Sequence, residues 1–362
     1  MSGDALVEAI VGIVGPMLDA LDRLEFIARH LHPPDIASLM EVLEDSDATL
    51  RTARETVTAA AWPEHLIPFR DQIDLAAGLT LRACDGLREA AVSGGLRAAM
   101  RALRNVGRAT EALYPLASSL PSVSRFFLEP DQRDDADLLE RVAAGAERTD
   151  VRVGVLHANN TTDERGGFSV YVPEDYDPAR AYPLVMALHG GSGHGRLFLW
   201  TWVREARSRG VILVAPTATG DTWSLMQPEI DAAHLVRVLE HVAGTLRVDR
   251  SRLLLTGMSD GGTFTLLSGL GEASPFTHLG PIAASFHPMF VTMTPPQRLL
   301  GLPIYLVHGA LDWMFPVSVA RTAYGALDGA GAKVVYREIA DLSHAYPREE
   351  NASMLTWFLG ER

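Results

Sequence analysis

Near residue 151 the hydrophobic pattern of this chain changes. Before it, apolar residues recur at helical spacing. After it, short all-apolar runs alternate with amphipathic stretches. Ala5, Ile10, Ile13, Val14, Met17, Leu18, Leu21, Leu24 and Ile27 form one helical stripe, and Pro33-Pro34 ends it. The same spacing predicts helices over residues 35–61, 67–92 and 96–119. Ser93-Gly94-Gly95 stops the third, and Pro121 follows the fourth. Long helices with short connections predict an antiparallel bundle. Downstream, strands are predicted over 151–157, 168–172, 184–188, 211–214, 253–255, 282–285, 304–307 and 334–339, with helices between them. Apolar strands alternating with helices predict a mostly parallel sheet covered on both faces. The expected organisation is an all-helical domain over residues 1–145 and an α/β domain over 146–362. The acidic connector from Glu129 to Asp137 joins them, and one short helix is expected over 138–146.

Charge narrows the classes of partner. The net charge is −13. Residues 1–150 hold 15 Arg against 25 Asp and Glu, and the remainder holds 17 Lys and Arg against 20. Neither part offers the basic face that nucleic acid or an anionic membrane requires. Cys84 is the one cysteine, so an intrachain disulfide is impossible, which fits a reducing compartment. The N-terminus lacks a positively charged leader, and Glu8 interrupts its apolar run. Residues 9–18 are too short to span a bilayer. The expectation is a cytoplasmic protein without a transmembrane segment.

The predicted strand 253–255 runs into Gly257-Met258-Ser259-Asp260-Gly261, and a helical pattern starts at Gly262. A serine on a sharp strand-to-helix turn stands clear of the sheet, and glycines two before and two after relieve the crowding. A serine nucleophile needs a base, an acid that orients the base, and donors for the oxyanion. In open α/β sheets such groups gather at the carboxyl ends of strands. His308-Gly-Ala-Leu-Asp312 follows strand 304–307, and Ala340-Asp341-Leu-Ser-His344 follows strand 334–339. Ser259, Asp312 and His344 therefore form the expected catalytic set, with Asp341 as the rival acid. His189-Gly190-Gly191-Ser192-Gly193 follows strand 184–188, so the backbone N–H groups of Asp260 and of Gly190 or Gly191 are the expected oxyanion donors. His189, Met258, Trp223 and Trp313 are the candidate substrate contacts, with Trp223 as one wall of an apolar or aromatic acyl pocket.

Together, Tyr171-Val-Pro-Glu-Asp-Tyr-Asp177, Leu188-His-Gly-Gly191, Gly257-Met-Ser-Asp-Gly-Gly262 and His308-Gly-Ala-Leu-Asp312 resemble the phospholipase/carboxylesterase group of α/β-hydrolases. They are also similar to the feruloyl-esterase and polyhydroxybutyrate-depolymerase-like esterases. The resemblance covers about residues 150–362. It implies an α/β-hydrolase fold, here preceded by an all-α helical-bundle domain, and a serine carboxylic-ester hydrolase that works through an acyl-enzyme on a small-molecule ester. It implies neither a metal nor an organic cofactor. Peptide hydrolysis or acyl transfer by the same residues, or a non-catalytic binding role, are the alternatives. The resemblance leaves residues 1–145 outside. For them the expectation is assembly into a homodimer, ahead of a lid over the site. The segment 286–303 is too short for a large internal cap.

Overall fold

The computed structural model describes residues 3–43, 46–93, 95–146 and 152–361. Gly94, Val151 and residues 44–45 of the expected second helix lie outside the described residues. The chain forms two compact units, Met1–Asp134 and Asp135–Arg362. The division falls some ten residues before the expected one, because helix Ala136–Ala146 packs with the sheet unit. Asp135 caps it, accepting from the Leu138 N–H at 3.0 Å. Leu138 and Val142 are buried, and Gly145 lies so close to Glu174 that a Cβ would sit 2.3 Å from its carbonyl oxygen.

In the helical unit, the long helices are Gly3–Arg29, Ser46–Ala59, Ile67–Ser93 and Leu96–Leu113. Leu24, Ile27, Leu43, Cys84, Leu87, Ala90, Ala99 and Ala102 share one core. The small residues are there because two helices nearly touch: a Cβ on Gly86 would lie 2.8 Å from the Ala102 methyl. The expected second helix is divided. A turn of helix at Ile36–Leu39 gives way to a 3-10 turn at Met40–Val42, and a new helix starts at Ser46. Asp47 in its first turn is buried and paired with Arg88 and Arg51, which pins the new start. The fourth helix ends at Leu113 because Pro115 has no N–H to continue the ladder, and Tyr114–Ser118 tightens to a 3-10 turn.

In the second unit, eight strands form one sheet among the described residues: β1 Gly154–Ala158, β2 Phe168–Val172, β3 Tyr182–Leu188, β4 Ile212–Pro216, β5 Val248–Met258, β6 His278–Ile282, β7 Pro303–Gly309 and β8 Lys333–Ile339. Their order is β1-β2-β4-β3-β5-β6-β7-β8. β2 runs antiparallel to both neighbours, and every pairing from β4 to β8 is parallel. β3 and β4 are buried along their whole lengths, as strands covered on both faces must be. The sixth strand lies four residues earlier than expected. Gly280 and Pro281 read as breakers, but the fold needs Gly280: a Cβ there would sit 2.6 Å from Met354 Sδ. Trp200 and Trp202 are core residues. No described helix is long and apolar enough to cross a membrane.

Candidate active site

β5 ends in the turn that carries Ser259 and opens helix Asp260–Gly269. Ser259 has φ 57° and ψ −118°, a region that L-residues avoid at a cost of about 1–3 kcal/mol. Packing and hydrogen bonds hold it there. Its N–H donates to Ile282 O at 2.9 Å, and its carbonyl accepts from Thr263 N–H at 2.8 Å. The glycines on either side are sterically required. A Cβ on Gly257 would lie 2.6 Å from Gly261 O, and one on Gly261 would lie 2.5 Å from the carbonyls of Leu188 and His189.

The loops after β7 and β8 bring Asp312 and His344 to this turn. The Ser259 hydroxyl and His344 Nε2 are 3.0 Å apart, and His344 Nδ1 is 2.8 Å from Asp312 Oδ2. An ionised carboxylate can only accept, so Nδ1 carries the ring proton and Nε2 is free to accept the serine proton. Asp312 is buried, which alone would push its pKa up. The bonds from His344 and from the Phe315 N–H, with the nearby imidazoles, outweigh burial and hold the carboxyl below its usual range. The other oxygen, Oδ1, accepts from the N–H groups of Met314 and Phe315, at 2.9 and 2.8 Å. His308, fully buried, donates through Nε2 to Phe315 O at 2.8 Å and so curls the same loop around Asp312. The rival acid Asp341 is exposed, and His344 bonds Asp312.

The loop after β3 lies across the turn. A Cβ on Gly190 would stand 3.6 Å from Ser259 Cβ, and one on Gly191 would meet Asp260 Oδ2 at 2.8 Å. The Asp260 N–H is at the first position of its helix, where backbone donors have no intrahelical partner. The Asp260 carboxylate accepts from Thr222 Oγ1 at 2.6 Å, so it is tied sideways to the loop after β4.

Two expected substrate contacts prove to be interior. His189 is 1% exposed and Trp223 is 2% exposed. Ala218 N–H donates to His189 Nε2 at 3.1 Å, so the proton sits on Nδ1 and is donated to Gly190 O at 2.7 Å. Burial depresses this imidazole to about 3, with smaller opposing help from the Gly190 carbonyl. Trp223 stacks on Phe264, leans on His189, and donates Nε1–H to His189 O at 2.7 Å. Trp223 is thus a brace of the glycine loop and not a pocket wall. An aromatic in a loop leaving a strand reads as a surface group, but here the loop folds back over the helix after the turn. Met258 is half-buried in the turn itself. Trp313 is 44% exposed, with its ring centroid 6.1 Å from that of His344, and Phe315 lies 5.4 Å from it on centroids. Sequence reasoning missed Thr222 and Arg165, whose guanidinium donates to Gly193 O. Both sit in polar turns with no local pattern to mark them. Among the described residues, no group of three His, Cys, Asp or Glu side chains could hold a metal ion.

No family model matches the chain. Feruloyl esterase C of Emericella nidulans is 26% identical over 153 residues, 40% of this chain and 54% of that protein. A protein of the same organism named "Probable dipeptidyl-peptidase 5" is 26% identical over 246 residues, 56% of this chain and 34% of its own length. The chain thus spans about half of the first relative and a third of the second. A solved thermostable esterase superposes with a TM-score of 0.46 and 21% identity over 57% of this chain and 62% of its own. With its mostly parallel eight-stranded sheet and its Ser259 turn, the chain has the α/β-hydrolase fold, and over part of its length it is similar to feruloyl esterases.

Proposed function

We propose that this chain hydrolyses small-molecule carboxylic esters through an acyl-enzyme on Ser259. The observation that carries the reading is the hydrogen-bonded run from Ser259 through His344 to Asp312 at the carboxyl ends of β5, β7 and β8. His344 Nε2 takes the hydroxyl proton as Ser259 Oγ attacks the ester carbonyl carbon. The carbonyl oxygen, now an anion, faces the N–H groups of Asp260 and of Gly190 or Gly191. Each such donor contributes about 3–4 kcal/mol to the transition state. The Nε2 proton then passes to the leaving alkoxide. Water, giving its proton to the same nitrogen, attacks the acyl-enzyme; the bond from the acyl carbon to Ser259 Oγ then breaks, Oγ takes that proton back from Nε2, and the acid is released. Asp312 keeps the Nδ1 proton in place and stabilises the imidazolium.

Peptide bonds present the same carbonyl, and a peptidase name occurs among the relatives. One assay separates the two. Hydrolysis of p-nitrophenyl esters from acetyl to palmitoyl is measured beside hydrolysis of aminoacyl p-nitroanilides. The expected result is ester cleavage with little anilide cleavage, lost by at least about 10³-fold in Ser259→Ala and in Asp312→Asn. Equal ester cleavage by wild type and Ser259→Ala would refute the assignment. The chain-length optimum sizes the acyl site beside Trp313 and Phe315.

A further inference from the structure

We propose that Arg165 is a positioning residue that sets the oxyanion loop against Ser259; the proposal rests on the esterase reading above. Arg165 lies in the turn between β1 and β2. Its guanidinium donates to three backbone carbonyls in two other loops: Nη1 to Gly193 O at 2.7 Å, Nε to Gly220 O at 2.8 Å and Nη2 to Asp221 O at 3.2 Å. Each of those loops touches the site within a few residues. Gly193 N–H donates back to Gly190 O at 3.0 Å, closing the turn that presents Gly190 and Gly191. Past Asp221, Thr222 holds the Asp260 carboxylate and Trp223 holds His189 O.

A planar fork with fixed donor directions sets the spacing between two carbonyl-lined loops, whereas a lysine ammonium is a single point on a flexible stem. The base of the fork is itself anchored. Gly166 N–H donates to Ala218 O at 3.2 Å and Thr217 N–H to Gly167 O at 2.8 Å, which ties the two residues after Arg165 to the two residues after β4. The guanidinium is half-buried, and the part of its hydration that it loses lowers its pKa, against the opposing pull of Asp221 and Asp231. Three carbonyl acceptors compensate that loss only while both loops keep their places. The oxyanion donors must be correct to a fraction of an ångström, and a misplacement of about 1 Å can cost on the order of 10²-fold in rate.

The test uses the full chain with Arg165→Met, Arg165→Lys and Arg165→Gly. Hydrogen exchange is followed in peptides covering residues 189–195 and 218–223, with β5 as internal reference, and kcat and KM are measured on a p-nitrophenyl ester. In Arg165→Met, both loops exchange faster while β5 is unchanged. Its kcat falls about 10- to 100-fold with KM within about threefold. Arg165→Lys falls between, and guanidinium ion restores several-fold of the lost rate to Arg165→Gly. Unchanged exchange in 189–195, or unchanged kcat with faster exchange, overturns the proposal. So does a rate loss matched by faster exchange of β5 and unaffected by guanidinium. If Arg165→Met does not fold, Arg165→Lys decides by the same readings. A wild type inactive on every ester refutes the esterase reading and with it the rate half of this proposal, while loop exchange still decides whether Arg165 holds the loop.

Discussion

At the scale of single residues, this site spends stability on geometry. Ser259 is held at positive φ, and His189 is held neutral inside the protein. The second has a consequence in acid. In the unfolded chain a histidine takes up a proton near its ordinary value of 6.5, but His189 in the fold does so only near 3. Between those values the unfolded chain binds more protons. The stability held by neutral His189 is therefore complete above about pH 6.5. It is lost as pH falls, at a slope approaching about 1.4 kcal/mol per pH unit. His194, His234 and His278 are shifted in the same direction by burial. Urea unfolding at pH 7 and pH 5 checks this. Wild type is expected to lose more stability between the two than His189→Gln, which is less stable at pH 7 but lacks the titrating ring. Equal losses in both would remove His189 as a source of the pH dependence. The serine, acid and base candidates were legible in sequence because each follows a predicted strand. The inward direction of His189 was not, since a histidine before two glycines reads equally well as a group that faces a ligand.

At the scale of elements, small residues mark where backbones approach. Gly86 packs against Ala102, whereas Gly12, in helix Gly3–Arg29, has nothing within 4 Å of where its Cβ would be. The two glycines should respond oppositely. Gly86→Leu forces the neighbouring helices apart and is expected to cost about 1–3 kcal/mol. Gly12→Ala only restricts the unfolded chain and is expected to stabilise by about 0.4–1 kcal/mol. Chemical unfolding monitored by far-ultraviolet circular dichroism gives both signs, and like signs would contradict the packing described. The helix boundaries were legible where proline or paired glycines stand. They were not legible where a long-range pair decides, as at Asp47, whose partner Arg88 is 41 residues away. The start of β6 was misplaced for a similar reason: Gly280 is required by Met354, which only the folded sheet brings to it.

At the scale of the whole molecule, the helical unit and the sheet unit each have a core of their own. Cys84 reports on the first. It is fully buried, and burial, aided by the Asp47 carboxylate, pushes its thiol up to about 12. Little thiolate exists at neutral pH, and none of it is accessible. A thiol reagent should therefore label no cysteine in the native protein and one per chain once the helical unit unfolds. Following labelling and ester hydrolysis through one urea titration shows whether the two units lose structure together. Labelling of the native protein would place Cys84 outside the core described here. By itself, the sequence determined the change from helices to alternating strands and helices near residue 151. It also determined the glycine-flanked serine turn. Both follow from local backbone geometry, which leaves a period or a required glycine in the chain itself. Only the tertiary structure decided that Asp312 and not Asp341 meets His344, that Trp223 and His189 brace the glycine loop, and that Arg165 reaches three carbonyls. The first depends on the neighbouring β7 and β8, and the other two on the strand order β2-β4-β3-β5, which sets side by side loops that lie far apart in the chain.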